Sequence, residues 1–203
     1  MEVAKHERMT VEEFLDWNGS QTHRHELIDG YAVPQNKVGA AKAMAGASEG
    51  HGVAVANLVV ALTPQTRARG GRTASSDLAV RTGNDRIRYP DVLVWCEPKT
   101  SDGKEIENPL LMVEVLSRSN AGMDFVDKIA EYQSHPTVLY ILILSPFRVD
   151  VTFYRRPSTD APWQHTKLSS LEDIIEMDGL GVRLAVRDIY VDLDPRPYLE
   201  LVD

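Results

Sequence analysis

Cysteine is almost absent from this chain, and so are long apolar runs. The single Cys96 among 203 residues excludes an internal disulfide and is compatible with a reducing cytoplasm. No apolar run approaches the ~20 residues that a membrane span needs, and the N-terminus lacks the apolar core of a secretory signal. We therefore expect a cytoplasmic protein with no membrane partner. Cys96 ends an apolar segment, which favours a buried, inert thiol over a nucleophile.

A positive charge excess is lacking as well. The net charge of -8 argues against indiscriminate, tight nucleic-acid binding, which needs many phosphate contacts from lysine and arginine. The charge is uneven, however, because residues 65–90 contain six arginines against two aspartates. A basic face that includes Arg81 and binds substrate beside the site is one interpretation. A solvated surface is the other.

The length and composition predict one domain over residues 1–203, with a core at about 9–192. A hydrophobic content of 43% and a charged content of 26% are those of an ordinary globular chain. The periodicity predicts helices at 11–18, 48–69 (kinked or broken at Pro64) and 124–134, and short helices at 171–175 and 184–190. It predicts strands at 72–81, 87–95, 110–116, 138–144, 149–154 and 163–168, and a hairpin around Asp29-Gly30. This mixture indicates an α/β (α+β) fold, with a central mixed sheet flanked by helices.

Two carboxylates lie in apolar segments that are predicted strands. Asp91 directly precedes the apolar run 92–95, and Glu114 interrupts the run 110–116. An ionised glutamate inside a strand buried on both faces is costly unless a charged group meets it. A shared divalent cation would meet that cost, so we predict that Asp91 and Glu114 hold Mg²⁺, with the Val115 backbone carbonyl as a further ligand. The alternative is that Glu114 pairs with a buried lysine or arginine and is only structural.

Lys128, on the predicted helix 124–134, is the candidate for a positively charged group that acts beside these two acids. Its ammonium group would orient or deprotonate the attacking water, or stabilise the developing oxyanions. The competing interpretation is a solvated lysine on an exposed helix face.

Ser48 and His51 lie three residues apart at the start of the second predicted helix, after a long Gly-rich loop at 34–50. Residues at this spacing share one side of a helix, so both are predicted to bind substrate, with His51 contacting phosphate or relaying a proton. An equally good interpretation is that Ser48 only caps the helix and His51 is an ordinary first-turn residue.

The arrangement Pro-Asp at 90–91, followed by Glu114 between apolar residues on a second strand, resembles the PD-(D/E)XK restriction-endonuclease-like superfamily. That superfamily usually places its lysine two residues after the glutamate, where this chain has Leu116. The chain from about 9 to 192 more specifically resembles the Uma-two family of that superfamily. The matching segments, in order, are 9–14, 26–30, Ser48 with His51, 76–78 with 80–81, 89–92, Pro109 with 113–117, Asp124 with Lys128 and Tyr132, and Pro136 with Val138 and Tyr140.

The resemblance implies a restriction-endonuclease-like core and an Mg²⁺-dependent nuclease, for which Mn²⁺ is the expected substitute. It implies that the lysine comes from the helix after the glutamate strand, matching Lys128, and that Glu26 joins Asp91 and Glu114. Glu26 would then support a second ion or hold a water. DNA is the expected substrate, and a homodimer is the expected assembly.

Two other functions remain open at this point. One is a catalytically weak nucleic-acid-binding or accessory dimeric module that keeps the nuclease fold. The other is a structural dimer whose site is vestigial.

Overall fold

Two β-sheets and four helices make up the computed structural model, which describes residues 7–35, 48–75, 78–96, 105–117 and 123–196. The helices are α1 (Val11–Asn18), α2 (Glu49–Arg67), α3 (Met123–Ser134) and α4 (Val186–Ile189). The strands are β1 (His25–Ile28), β2 (Tyr31–Pro34), β3 (Arg72–Ser75), β4 (Ala79–Gly83), β5 (Arg86–Arg88), β6 (Val92–Trp95), β7 (Glu105–Ile106), β8 (Pro109–Val115), β9 (Tyr140–Leu144), β10 (Val151–Arg155), β11 (Gln164–Leu168), β12 (Ile174–Met177) and β13 (Val182–Ala185). A small ribbon of β12 and β13 accompanies the two sheets.

The larger sheet has six strands in the order β11-β10-β9-β8-β6-β3. Only β8 and β9 run parallel in it, and the other neighbours are antiparallel. The second sheet has the order β2-β1-β5-β4-β7. The predicted α+β class with a mixed sheet is therefore confirmed.

Strand β8 at the centre of the large sheet is covered on both faces. Leu111 and Val113 point to the core that α2 builds, whereas Met112 packs in the second core with Ile129 and Tyr132 of α3. Successive side chains of a strand alternate between faces. Glu114, two residues after Met112, therefore belongs to the α3 face.

The prediction of one continuous strand at 87–95 is wrong, because this segment is divided between the two sheets. Residues 86–88 form β5 of the smaller sheet, and residues 92–95 form β6 of the larger one. Pro90 has no backbone N–H to give to a ladder, so the pairing is interrupted there. The predicted strand 72–81 is likewise divided into β3 and β4. Because the chain passes from the smaller sheet to the larger one at residues 89–91, Asp91 lies where the two sheets meet.

Local signals in the sequence are confirmed where they involve near neighbours. Thr10 and Glu13 form the capping box of α1. Asp29 and Gly30 form the hairpin turn with φ of 52° and 83°, the left-handed conformation that a two-residue turn of this kind requires. Helix α2 continues through Pro64 to Arg67 without a break.

Two further predictions are wrong. The segment 171–175, expected to be helical, leads into β12, and the first part of the helix expected at 184–190 is β13. These two strands pair with each other, so a long-range partner overrides a weak local helical pattern. Cys96 is exposed rather than buried, because β6 ends at Trp95 and leaves the thiol beyond the sheet. None of the helices in the described ranges has the length and apolar character that crossing a bilayer demands.

Candidate active site

The sequence-predicted amine and two of the predicted acids meet at the junction of β1, β8 and α3. The Lys128 Nζ lies 2.8 Å from Glu114 Oε1 and 3.3 Å from Glu26 Oε1. Lysine reaches this point because α3 covers the face of β8 to which Glu114 belongs. Leu116, on the same face, contributes only packing to that core. A lysine supplied by α3, and not by position 116 of β8's chain segment, is therefore compatible with the geometry of the sheet.

Glu114 is a buried carboxyl, with 5% of the residue exposed. Its Oε1 accepts a 2.6 Å hydrogen bond from the Tyr132 hydroxyl in addition to the contact with Lys128. Burial, together with the negative charge of Asp91, raises the pKa of Glu114 to about 7, against the opposing effect of Lys128. Burial disfavours the charge of Lys128, but Glu114 and Glu26 outweigh it and raise the pKa of Lys128 above its usual value. Lys128 is therefore positively charged at neutral pH.

Asp91 is tied to β8 on two sides. Its backbone N–H donates to the Val113 carbonyl at 3.0 Å, and its Oδ2 accepts from the Val115 N–H at 2.8 Å. The side chain keeps 17% of its surface exposed. The carboxylate is thus fixed beside Glu114 and still open to solvent.

His51 reaches Asp91 from the first turn of α2. Its Nε2 lies 3.3 Å from Asp91 Oδ2, and the hydrogen bond to Asp91 raises the pKa of His51. The Ser48 hydroxyl oxygen accepts from the His51 backbone N–H at 3.3 Å, so Ser48 is the N-cap of α2. Ser48 therefore caps the helix, which is one of the two roles predicted for it. Its contact with substrate stays a prediction.

Glu26 is held by two cations. Arg88 Nη1 donates to Glu26 Oε2 at 2.7 Å, while Lys128 contacts Oε1. Burial alone would raise the pKa of Glu26, but Lys128 and Arg88 lower it below its usual value. Both oxygens of Glu26 are therefore engaged with positive side chains, which argues for a role in placing Lys128 rather than in binding a metal.

Sequence reasoning missed the buried arginine and its partner. Arg88 is 1% exposed and binds Glu131 through Nε at 2.8 Å and Nη2 at 2.6 Å. Glu131 also accepts from Arg86 and from the Thr82 hydroxyl. The available signal was the position of Glu131, three residues after Lys128 on the same side of α3.

Arg81, predicted to bind substrate, contacts carboxylates of its own chain. Its guanidinium binds Glu105 in a bidentate manner and also contacts Glu12 at 2.9 Å. Together with the pairing of Arg86 and Arg88, this argues against a free basic face formed by these three arginines. Asp77, part of the same sequence motif as Arg81, lies outside the described residues.

The donor set at Asp91 and Glu114 fits a hard cation. Within the described ranges, no three His, Cys, Asp or Glu side chains are grouped closely enough to hold a metal ion on their own. Mg²⁺ does not need such a group, because it takes one or two carboxylates and keeps several waters or phosphate oxygens. Burial is the main reason that the pKa of Glu114 is raised, and the negative charge of Asp91 adds to it, so a divalent cation between the two acids would relieve their repulsion. Asp91, Glu114 and the Val115 carbonyl would be its protein ligands.

We expect Tyr132→Phe to raise the pKa of Glu114 above about 7. The hydroxyl donates to the carboxylate, and a hydrogen bond to a charged group is worth about 1.5–3 kcal/mol, or about one pKa unit or more. A carboxyl-carbon NMR titration of Glu114 measures the shift. Tyr31→Phe, on the exposed hairpin strand, is the matched control. An unchanged titration in Tyr132→Phe would show that the hydroxyl does not stabilise the ionised form.

Comparison with known proteins identifies a matching family, two similar sequences and a similar structure. A family profile described as "Uma2: Putative restriction endonuclease" matches residues 11–187. Two uncharacterised proteins of Synechocystis, slr1290 and sll1609, are 28% and 31% identical to this chain, covering 90% of it in both cases and 92% and 99% of their own lengths. A crystal structure from Anabaena variabilis, described as a "putative nuclease", has a TM-score of 0.68 at 16% identity, covering 90% of this chain and 98% of its own. This structural likeness establishes the fold.

Proposed function

The chain belongs to the Uma2 family, and from that premise we propose that it is a metal-dependent endonuclease that hydrolyses phosphodiester bonds in DNA. The observation that carries the proposal is the placement of Lys128 between Glu114 and Glu26, beside the solvent-accessible Asp91. Such a cluster joins acids that suit a divalent cation to an amine that suits a phosphate.

Because Lys128 is positively charged, only some of the roles predicted for it are possible. Two carboxylates within 3.3 Å hold its ammonium group in the protonated form. A protonated amine cannot take a proton from water. Lys128 would therefore orient the attacking water by donating to it, or stabilise the negative charge that develops on the phosphoryl oxygens.

Asp91, Glu114 and the Val115 carbonyl would bind Mg²⁺, with Mn²⁺ as a substitute. Such an ion neutralises phosphoryl oxygens and acidifies water. The chain's own residues would fix the geometry. Asp91 is anchored by the Val115 N–H, Glu114 is oriented by the Tyr132 hydroxyl, and Glu26 sets the position of Lys128.

Plasmid nicking tests this proposal directly. We expect supercoiled DNA to be nicked with Mg²⁺ or Mn²⁺ but not with EDTA, and we expect Glu114→Gln to abolish nicking. Glu176→Gln is the matched control, because Glu176 is exposed and pairs with Arg183 on the β12–β13 ribbon. Metal-dependent nicking that survives Glu114→Gln would show that the activity does not use this site.

A weak nucleic-acid-binding or accessory module is the second candidate. The buried acids already have cationic partners within the chain, as they would in a structural ion-pair network. Salt-sensitive DNA binding without metal-dependent turnover would favour this candidate. The homodimer and the cytoplasmic location stay predictions, and sedimentation analysis of the purified protein would test the first.

Mg²⁺ binding should weaken as the pH falls through 7. A metal ligand must be deprotonated, and the raised pKa of Glu114 means that its ionised form predominates only above about pH 7. At pH 7, binding should therefore release about half a proton from Glu114. Isothermal titration calorimetry in buffers of different ionisation enthalpy measures this release, which should be smaller by that amount in Glu114→Gln. Equal release in both proteins would contradict a role for Glu114 as a ligand.

A further inference from the structure

His51 and Asp91 lie at the separation expected for two ligands of one metal ion. Their Nε2 and Oδ2 atoms are 3.3 Å apart. Two ligands at right angles around an ion, each at about 2.1 Å from it, lie about 3 Å from one another. The separation of the two atoms is therefore compatible with a common ion.

The rest of the chain holds this imidazole firmly in place. Ser48 caps the backbone N–H of His51, and Gly50 of the same turn lies against Pro146, with an added Cβ 3.6 Å from that ring. The helix then anchors itself in the main core through the fully buried Ala54 and Leu58. The His51 side chain is only 15% exposed and faces the inside of the site.

Strand β8 fixes the carboxylate of this pair. The backbone N–H of Val115, at the end of β8, donates to Asp91 Oδ2 at 2.8 Å. An imidazole and a carboxylate, two donor groups of different chemistry, therefore meet at the end of β8.

We propose that His51 is a ligand of the metal ion and not a contact for substrate phosphate, and that it biases the site from Mg²⁺ towards transition metals such as Mn²⁺. The inference rests on the proposed metal-dependent function. Its physical reason is that Mg²⁺ prefers oxygen ligands, whereas imidazole is a ligand typical of transition metals. Removing the imidazole should therefore reduce Mn²⁺ affinity much more than Mg²⁺ affinity.

Pulsed electron paramagnetic resonance of bound Mn²⁺ tests this without any measurement of activity. We expect the wild-type protein with one equivalent of Mn²⁺ to show a nitrogen hyperfine coupling. The coupling should change from the ¹⁴N to the ¹⁵N pattern when only histidine is labelled with ¹⁵N, and it should disappear in His51→Gln. The Mn²⁺ affinity of His51→Gln should fall by about 10-fold or more, with a change of less than about 3-fold for Mg²⁺.

His165→Gln is the control, because His165 is exposed on the edge strand β11 and contacts only the Tyr154 ring among its aromatic neighbours in the described residues. Bound Mn²⁺ with no histidine coupling, or a coupling that persists in His51→Gln, overturns the inference but leaves the proposed nuclease intact. No binding of Mn²⁺ by the wild-type protein would instead refute the metal dependence itself, and the inference with it.

Discussion

Replacing Lys128 by methionine is expected to lower the rate of Mg²⁺-dependent DNA nicking by about 10²-fold or more. The methionine preserves the length of the side chain and removes the charge that lies 2.8 Å from Glu114. Loss of a positioned charge that stabilises the transition state acts on kcat. Initial nicking rates at saturating Mg²⁺ and DNA measure the effect.

The fold should survive Lys128→Met. Glu26 keeps its bond to Arg88, and Glu114, whose pKa is already about 7, can take up a proton instead of remaining a buried unpaired anion. Circular dichroism and the melting temperature check this. Lys167→Met is the matched control, because Lys167 is half-exposed on the edge strand β11, where it contacts Asp150. Equal nicking by Lys128→Met and the wild type would remove Lys128 from the mechanism.

Arg88→Met is expected to produce the largest loss of stability, about 3–5 kcal/mol in the free energy of unfolding at pH 7. Arg88 is almost fully buried and neutralises Glu26 and Glu131 at the same time. Removing it leaves buried carboxylates without their main cation, and such charges are costly in a dry interior. Urea denaturation monitored by tryptophan fluorescence measures the change.

Arg81→Met serves as the control for Arg88→Met. Arg81 also binds two carboxylates, but its side chain is 37% exposed, and exposed ion pairs contribute about 1 kcal/mol or less. The double variant Arg88→Met/Glu131→Gln should recover part of the loss, because one of the stranded charges is gone. Equal destabilisation by Arg81→Met and Arg88→Met would contradict the burial argument.

Asp91 and Glu26 differ in whether a local sequence pattern can identify them as candidate site residues. Asp91 was recognisable because Pro-Asp before an apolar run is a local feature, and Glu114 was recognisable because it interrupts the apolar run 110–116. Glu26 was named only through the family resemblance. Its cationic neighbours, Arg88 and Lys128, are 62 and 102 residues away in sequence, and no local rule reports such contacts.

The same distinction explains where the structure differs from the sequence-based picture. The strand 87–95 appeared continuous because its apolar residues are continuous, yet its two ends belong to different sheets. Arg81 appeared available for substrate because its partners Glu12 and Glu105 come from distant elements. A charge that looks free in a sequence is often satisfied by a residue that only folding brings near it.

The sequence by itself determined the capping box of α1, the Asp-Gly hairpin, the apolar strands and the positions of Asp91 and Glu114 beside or within those strands, because these features depend on neighbouring residues and on period. Only the tertiary structure decided that Lys128 joins Glu26 to Glu114, that His51 faces Asp91, and that Arg88 is buried between Glu26 and Glu131. The reason is physical: desolvation and Coulomb interactions depend on distance in space, and two sheets meeting at residues 89–91 set those distances.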